Sequence, residues 1–242
     1  MSEKYDAMFS GLIGEDYDML NLICPLATKM SHLVGETLKD FSANKTEKLN
    51  VVELGGGTGI TTLALLNASE NTQILSIDNE PVMQNQAKQN LNAWVEKGQL
   101  TFLENDVLTA LKNLPENSVD VIASAYTLHN FLNSYRADVV IEMFRILKSG
   151  GQFINGDRYA LDDISHHTRA TQVEVADYFR ILIAENKLDL LQHWIIHLFN
   201  DESENHVMRE TVALAQLRNA GFSAVTLINR VAVNALVTAV KA

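Results

Sequence analysis

Apolar residues change their period along this chain, and the changes mark out its elements. Within residues 1–38 they recur at helical spacing, at Leu20, Ile23, Leu26 or Ala27, Met30 and Leu33 or Val34, so this segment reads as helices around a Gly/Asp turn. A polar bridge, KDFSANKTEKLN, follows. From residue 50 onward, short apolar runs alternate with helical patterns. Strands are predicted at 50–55, 73–79, 99–105, within LPENSVDVIASAY and at 151–159, with helices reaching Ala68, covering 80–97 and starting near Ser134. Nearly continuous apolar strands interleaved with helices are what a parallel sheet with both faces covered requires.

That rhythm stops near residue 161. Residues 161–200 read as mostly helical and rich in His, Trp and Tyr, and a further helix runs from about Asn205 to Asn219 before Gly221. The final stretch, AVTLINRVAVNALVTAVKA, holds two strand patterns with a short link between Arg230 and Asn234. It predicts a closing hairpin that adds an antiparallel edge to the parallel sheet. The expected organisation is one α/β domain over 1–242, with 1–38 and 161–200 as helical lid material.

Charge and composition narrow the partners. Thirty acids against nineteen bases leave a formal charge of −11, with no basic stripe for a phosphate backbone, so nucleic acid is not an expected partner. Cys24 is the only cysteine, which excludes an internal disulfide and a thiolate cluster and leaves a buried, inert thiol as the expectation. No 18-residue apolar run occurs and MSEKYDAMFSGL lacks the pattern of a signal peptide, so a cytoplasmic protein without a membrane partner is expected.

The densest chemical signal is NVVELGGGTGITTLALL, where Gly55, Gly56, Gly57 and Gly59 stand between a strand and a helix. That edge of an open α/β sheet is where ligands bind, and glycine lets a ligand touch main chain. Asp78, followed by Asn79, ends the second strand nineteen residues after Gly59, where a carboxylate can accept from a ribose diol. Asn105 and Asp106 end the third strand, where they could hold an exocyclic amine. The residue after Gly59 is Ile60, so the dinucleotide fingerprint fails, and no Walker lysine follows. An adenosine without phosphates fits better.

VVELGGGTG, Asp78, ENDV, LKSGG and the closing hairpin together resemble the class I S-adenosylmethionine-dependent methyltransferases, over residues 50–160 and 205–242. The resemblance implies a Rossmann-like seven-stranded sheet of order 3-2-1-4-5-7-6 with strand 7 antiparallel, and S-adenosylmethionine as the cofactor. By it, Glu53 and the Gly55–Gly59 loop would face the methionine part, Asp78 the ribose, and Asn105 with Asp106 the adenine. Tyr5 would close over the cofactor from the N-terminal segment. YDAMF, YDMLNLI and LRNAGFSAVTLINRVAVNALVTAVK look like the branch that makes carboxy-S-adenosylmethionine, akin to enzymes that close S-adenosylmethionine to azetidine-2-carboxylate. In the carboxy-forming branch the loop runs closer to G-C-S-L-G.

Chemistry is expected at the fourth and fifth strand ends. SAYTLHNF brings Ser124, Tyr126, His129 and Asn130 toward the sulfonium, with His129 a candidate base and Tyr126 a ring or hydroxyl for the positive sulfur. GDRY brings Arg158, a candidate carboxylate clamp, and Tyr159. His193 and His197 lie four apart, but HWIIH lacks the glutamate of the zinc-protease motif, and no metal is expected. The expected activity is methyl transfer to a small-molecule acceptor. The alternative is a non-methylating reaction in which the cofactor itself is the substrate, by ring closure or in the manner of carboxy-S-adenosylmethionine synthase. A homodimer is expected from the apolar insertion.

Overall fold

The apolar runs pair into one sheet. Its strands are β1 (Leu49–Leu54), β2 (Thr72–Asp78), β3 (Leu100–Glu104), β4 (Val119–Ala125), β5 (Leu147–Arg158), β6 (Ser223–Val231) and β7 (Asn234–Val240), arranged β3-β2-β1-β4-β5-β7-β6. Pairing is parallel from β3 through β5, whereas β7 runs antiparallel to both β5 and β6. The computed structural model describes residues 24–242, so Tyr5 lies outside the described residues.

Side chains alternate across a strand, and each core takes one parity. Val52 and Leu54 of β1 pack on α5 (Val107–Asn113), α6 (Asn133–Ile146) and α9 (Glu210–Ala220), while Val51 packs on α1 (Pro25–Ser42) and α2 (Ile60–Ala68). Helix α1 runs directly over β5, because a Cβ on Gly156 would lie 2.8 Å from the Met30 Cβ and only glycine leaves that room. The helix expected over 80–97 is two, α3 (Pro81–Asn90) and α4 (Asn92–Glu96). It breaks at Leu91, whose φ of −113° leaves the helical region while its side chain is buried in the second core. Tertiary burial there overrides a continuous polar-apolar period.

Two more helices, α7 (Ile164–Ala184) and α8 (Leu188–Asp201), form a third cluster in which Tyr178, Leu182, Leu190, Trp194 and Leu198 pack on Ala27 of α1. Their apolar content therefore splits. Tyr178 and Trp194 are buried under the lid, whereas Phe179 and Phe199 are exposed.

Candidate active site

Loops after β1, β2, β4 and β5 open on one edge of the sheet, and α1, α7 and α8 roof them. They enclose a concave cavity that both the strand-end loops and the roofing helices line. Gly55, Gly56 and Gly57 form one wall with Asp78, Asn79 and Glu80, and Tyr126, His129, Asn130 and Arg158 form another.

Glycine at position 55 is dictated twice. Its φ is +68°, and a Cβ there would fall 2.1 Å from the Thr127 hydroxyl oxygen. Gly55→Ala is expected to cost about 1–3 kcal/mol of stability from backbone strain alone, with the clash adding to it; urea denaturation reads this directly, and an unchanged midpoint would contradict the geometry. Asp78 fastens the loop, accepting from the Gly57 amide at 2.7 Å and the Glu80 amide at 2.8 Å. Burial raises its pKa against these backbone bonds.

Glu80 is an addition to the expected set. It is buried on the cavity wall, and one oxygen caps α3 through the Val82 amide. Asp78 and Glu80 thus present two carboxylates where the sequence singled out one, because the turn after β2 folds back on its own helix start.

Other expected residues sit behind the wall. Glu53 is fully buried under the loop, accepts from the Thr62 hydroxyl at 2.7 Å, and burial pushes its carboxyl up to about 7. Asp106 caps α5 through the Thr109 amide and takes the Tyr135 hydroxyl on its other oxygen, and Asn105 accepts from the Asp106 amide. Val107, their neighbour, lines the cavity instead. Ser124 donates to the Leu54 carbonyl, and Tyr159 is buried in the first core with its hydroxyl accepting from Asn155. Gly59 serves as the left-handed N-cap of α2.

At the lid end the chemistry concentrates. Tyr126 has φ +51°, a conformation rare for an aromatic residue, fixed by its amide on the Gly156 carbonyl and its hydroxyl on Asn234. Cys24 donates to that hydroxyl at 3.8 Å, and burial pushes its thiol up, in keeping with an inert role. Asn130 donates to the Tyr126 carbonyl, and its side-chain oxygen is buried without a partner. It is a free acceptor on the cavity wall.

His129 follows β4 on a 3₁₀ turn, Leu128–Asn130, and its Nδ1 lies 2.6 Å from Asp157. Asp157 also accepts from the Leu128 and Arg158 amides and from Asn155. Burial alone would raise this carboxyl, but the His129 charge and these bonds outweigh it and hold it below its ordinary value. A carboxylate only accepts, so Nδ1 donates its proton to Asp157, and the other ring nitrogen, Nε2, faces Asp201 of α8, 3.7 Å away.

Arg158 is 8% exposed and spans two acids, Glu174 at 2.6 Å and Glu202 at 3.2 Å. Burial would lower its pKa; Glu174 reverses this and holds it well above the ordinary value. Its donors serve the lid, so the clamp expected for a ligand carboxylate is already closed on protein. The same network takes in His167, on Glu202 at 2.5 Å, and Tyr178, on Glu174 at 2.5 Å. Of the histidine pair in α8, His197 is buried on the cavity and His193 is exposed. Glu174 left no sequence signal, since only helix packing brings it to the strand ends.

Comparison with known proteins agrees with this geometry. A family described as a methyltransferase domain matches residues 52–155. The chain is 34% identical over 127 residues to a demethylmenaquinone methyltransferase of Leptospira interrogans, covering 52% of this chain and about half, 48%, of that protein. It is 22% identical over 202 residues to a carboxy-S-adenosyl-L-methionine synthase of Ruthia magnifica, covering 81% of this chain and 80% of the other. Among solved structures, an O-methyltransferase family protein from Burkholderia thailandensis superposes with a TM-score of 0.66 at 17% identity, over 95% of this chain and 60% of that one. The chain therefore has the class I S-adenosylmethionine-dependent methyltransferase fold, distantly related to several small-molecule enzymes and not clearly nearest to any one branch.

Proposed function

We propose that this protein is an enzyme that binds and uses S-adenosylmethionine, and that the bound S-adenosylmethionine is itself the substrate, modified in the manner of a carboxy-S-adenosylmethionine synthase. The glycine wall with Asp78 and Glu80 takes the adenosine. Tyr126 and Asn130 flank the methionine part, with the free Asn130 oxygen available to its ammonium group.

One observation carries the preference over methyl transfer. Likeness to the methyltransferase domain stops at residue 155, before the lid, whereas likeness to the carboxy-S-adenosylmethionine synthase of Ruthia magnifica runs over 202 residues. The lid is the part that supplies Glu174, Trp194, His197 and Asp201 to the cavity.

The test is mass spectrometry of the protein with S-adenosylmethionine, alone and with small carboxylic acids as carbon donors. An enzyme-dependent product heavier than S-adenosylmethionine by one CO₂ is the expected result. Methylthioadenosine with azetidine-2-carboxylate from the cofactor alone would replace this reading with ring closure. S-adenosylhomocysteine accompanied by a methylated acceptor would return the assignment to methyl transfer.

A further inference from the structure

His129 and Asp201 face each other across the cavity without a hydrogen bond. Their closest atoms, Nε2 and Oδ2, are 3.7 Å apart, and the same Oδ2 lies 3.4 Å from Nε2 of His197. Both separations exceed the usual ~2.7–3.2 Å of a hydrogen bond. All three ligand atoms lie within 4.8 Å of one another, and all three residues are buried. The other oxygen of Asp201 is buried with no hydrogen-bond partner in a residue only 6% exposed.

We infer that His129, His197 and Asp201 form a binding site for a divalent first-row metal ion of the zinc class, with its open positions turned into the cavity. Ligand atoms at roughly 2.0–2.1 Å from a tetrahedral centre stand about 3.4 Å apart. The observed 3.4 and 3.7 Å fall on or within a few tenths of that edge. Two imidazoles and a carboxylate are a donor set that zinc and iron(II) accept, and three protein ligands leave room for a small molecule.

The surroundings fit the same ion. Asp157 holds the His129 Nδ1 proton, which is the outer carboxylate that metal-bound histidines usually carry and which aims Nε2 inward. Helix α8 places His197 and Asp201 one turn apart, so both reach the cavity from a single face. Charge points the same way. Four carboxylates, on Asp157, Glu174, Asp201 and Glu202, share this buried region with two guanidinium groups, on Arg136 and Arg158. Among the described residues the acids of this region outnumber its guanidinium groups, and a divalent cation supplies the opposite charge. Arg158 is engaged by Glu174 and Glu202, so the ion would also supply the missing partner for an anionic oxygen of a small carboxylate. Only that last role rests on the reaction proposed above; the binding does not.

The test is titration of the full chain, freed of metal by chelation, with Zn²⁺ by calorimetry and with Co²⁺ by visible absorption, both without turnover. One equivalent of each ion per chain and a Co²⁺ ligand-field band are expected. His197→Ala and Asp201→Asn should each weaken binding by more than about 100-fold, since loss of even an outer partner costs ~10–100-fold. His193→Ala, exposed on the same helix, should leave it unchanged. Circular dichroism and S-adenosylmethionine binding report whether the variants fold. If they do not, Zn²⁺-dependent shifts of the His129 and His197 ring nitrogens in the unaltered protein provide the readout. Absence of saturable binding, or equal binding by the folded ligand variants, overturns the site. A bound ion in a protein that makes no carboxylated product would overturn the reaction and keep the site.

Discussion

Asp157→Asn is expected to destabilise the protein by about 3–5 kcal/mol at neutral pH, because it leaves buried donors that the carboxylate now satisfies without a full set of acceptors. Asparagine offers one acceptor oxygen where the carboxylate now serves His129, two backbone amides and Asn155. Its NH₂ group would face donors. The penalty carries its own pH signature. A carboxyl held below its ordinary value of 3.8 takes up its proton at lower pH in the folded chain than in the unfolded one. Its contribution is complete above the ordinary value and is lost as pH falls toward the folded value. Asparagine has no proton to gain, so the gap between wild type and variant should be full at about pH 4 and narrow only as pH falls below the ordinary 3.8 toward the folded value. Urea denaturation across pH checks this.

The same substitution should reduce turnover of S-adenosylmethionine by about 10–100-fold, the loss that follows when the outer partner of a ligating histidine is removed. Asp157 does not touch the cavity and acts by fixing the His129 tautomer, so it is a positioning residue. Nitrogen chemical shifts of His129 separate this from general loosening. They should report an Nδ1 proton in the wild type and a shift of tautomer in the variant. A variant with wild-type shifts and turnover would remove His129 from the chemistry.

Glu53→Gln should have the opposite character. Burial pushes the Glu53 carboxyl from 4.5 up to about 7, and one of its oxygens has no hydrogen-bond partner. The folded chain therefore holds a proton that the unfolded chain has released between these values. Stability falls as pH rises through that window, by roughly 3 kcal/mol, and the cost is complete above it. Glutamine stays neutral throughout and can still accept from Thr62. The ligand-free variant should match wild type near pH 4.5 and be more stable by roughly 3 kcal/mol near pH 8. Parallel stability curves would show that Glu53 ionises normally beneath the loop.

Much of the frame was legible because it depends on local period. The switch from helical to strand spacing at residue 50, the glycines after β1 and the final hairpin each reflect residues within one element and its turn. The strand order followed the implied topology throughout. Departures occurred where distant burial intervened. Leu91 ends a helix because the second core takes its side chain, and Asp106 caps α5, with Asn105 on the Asp106 amide, while Val107 faces the cavity.

The candidate site divides along the same line. Gly55, Asp78, Tyr126, His129, Asn130 and Arg158 could be placed at strand ends from sequence, because every parallel strand delivers its carboxyl end to one edge. What those side chains meet there could not. Asp157 is next to Arg158 in sequence yet bonds His129 across the β4–β5 pair, and Arg158 turns to Glu174 and Glu202 of the lid.

The amino-acid order thus determined the sheet, its ligand edge and the glycine wall, since hydrophobic period and backbone sterics act between near neighbours. Only the tertiary structure decided which acids enclose Arg158 and which residues share the space beside His129. Those pairings depend on how α7 and α8 pack over the strand ends, and that packing brings together charges far apart in the chain.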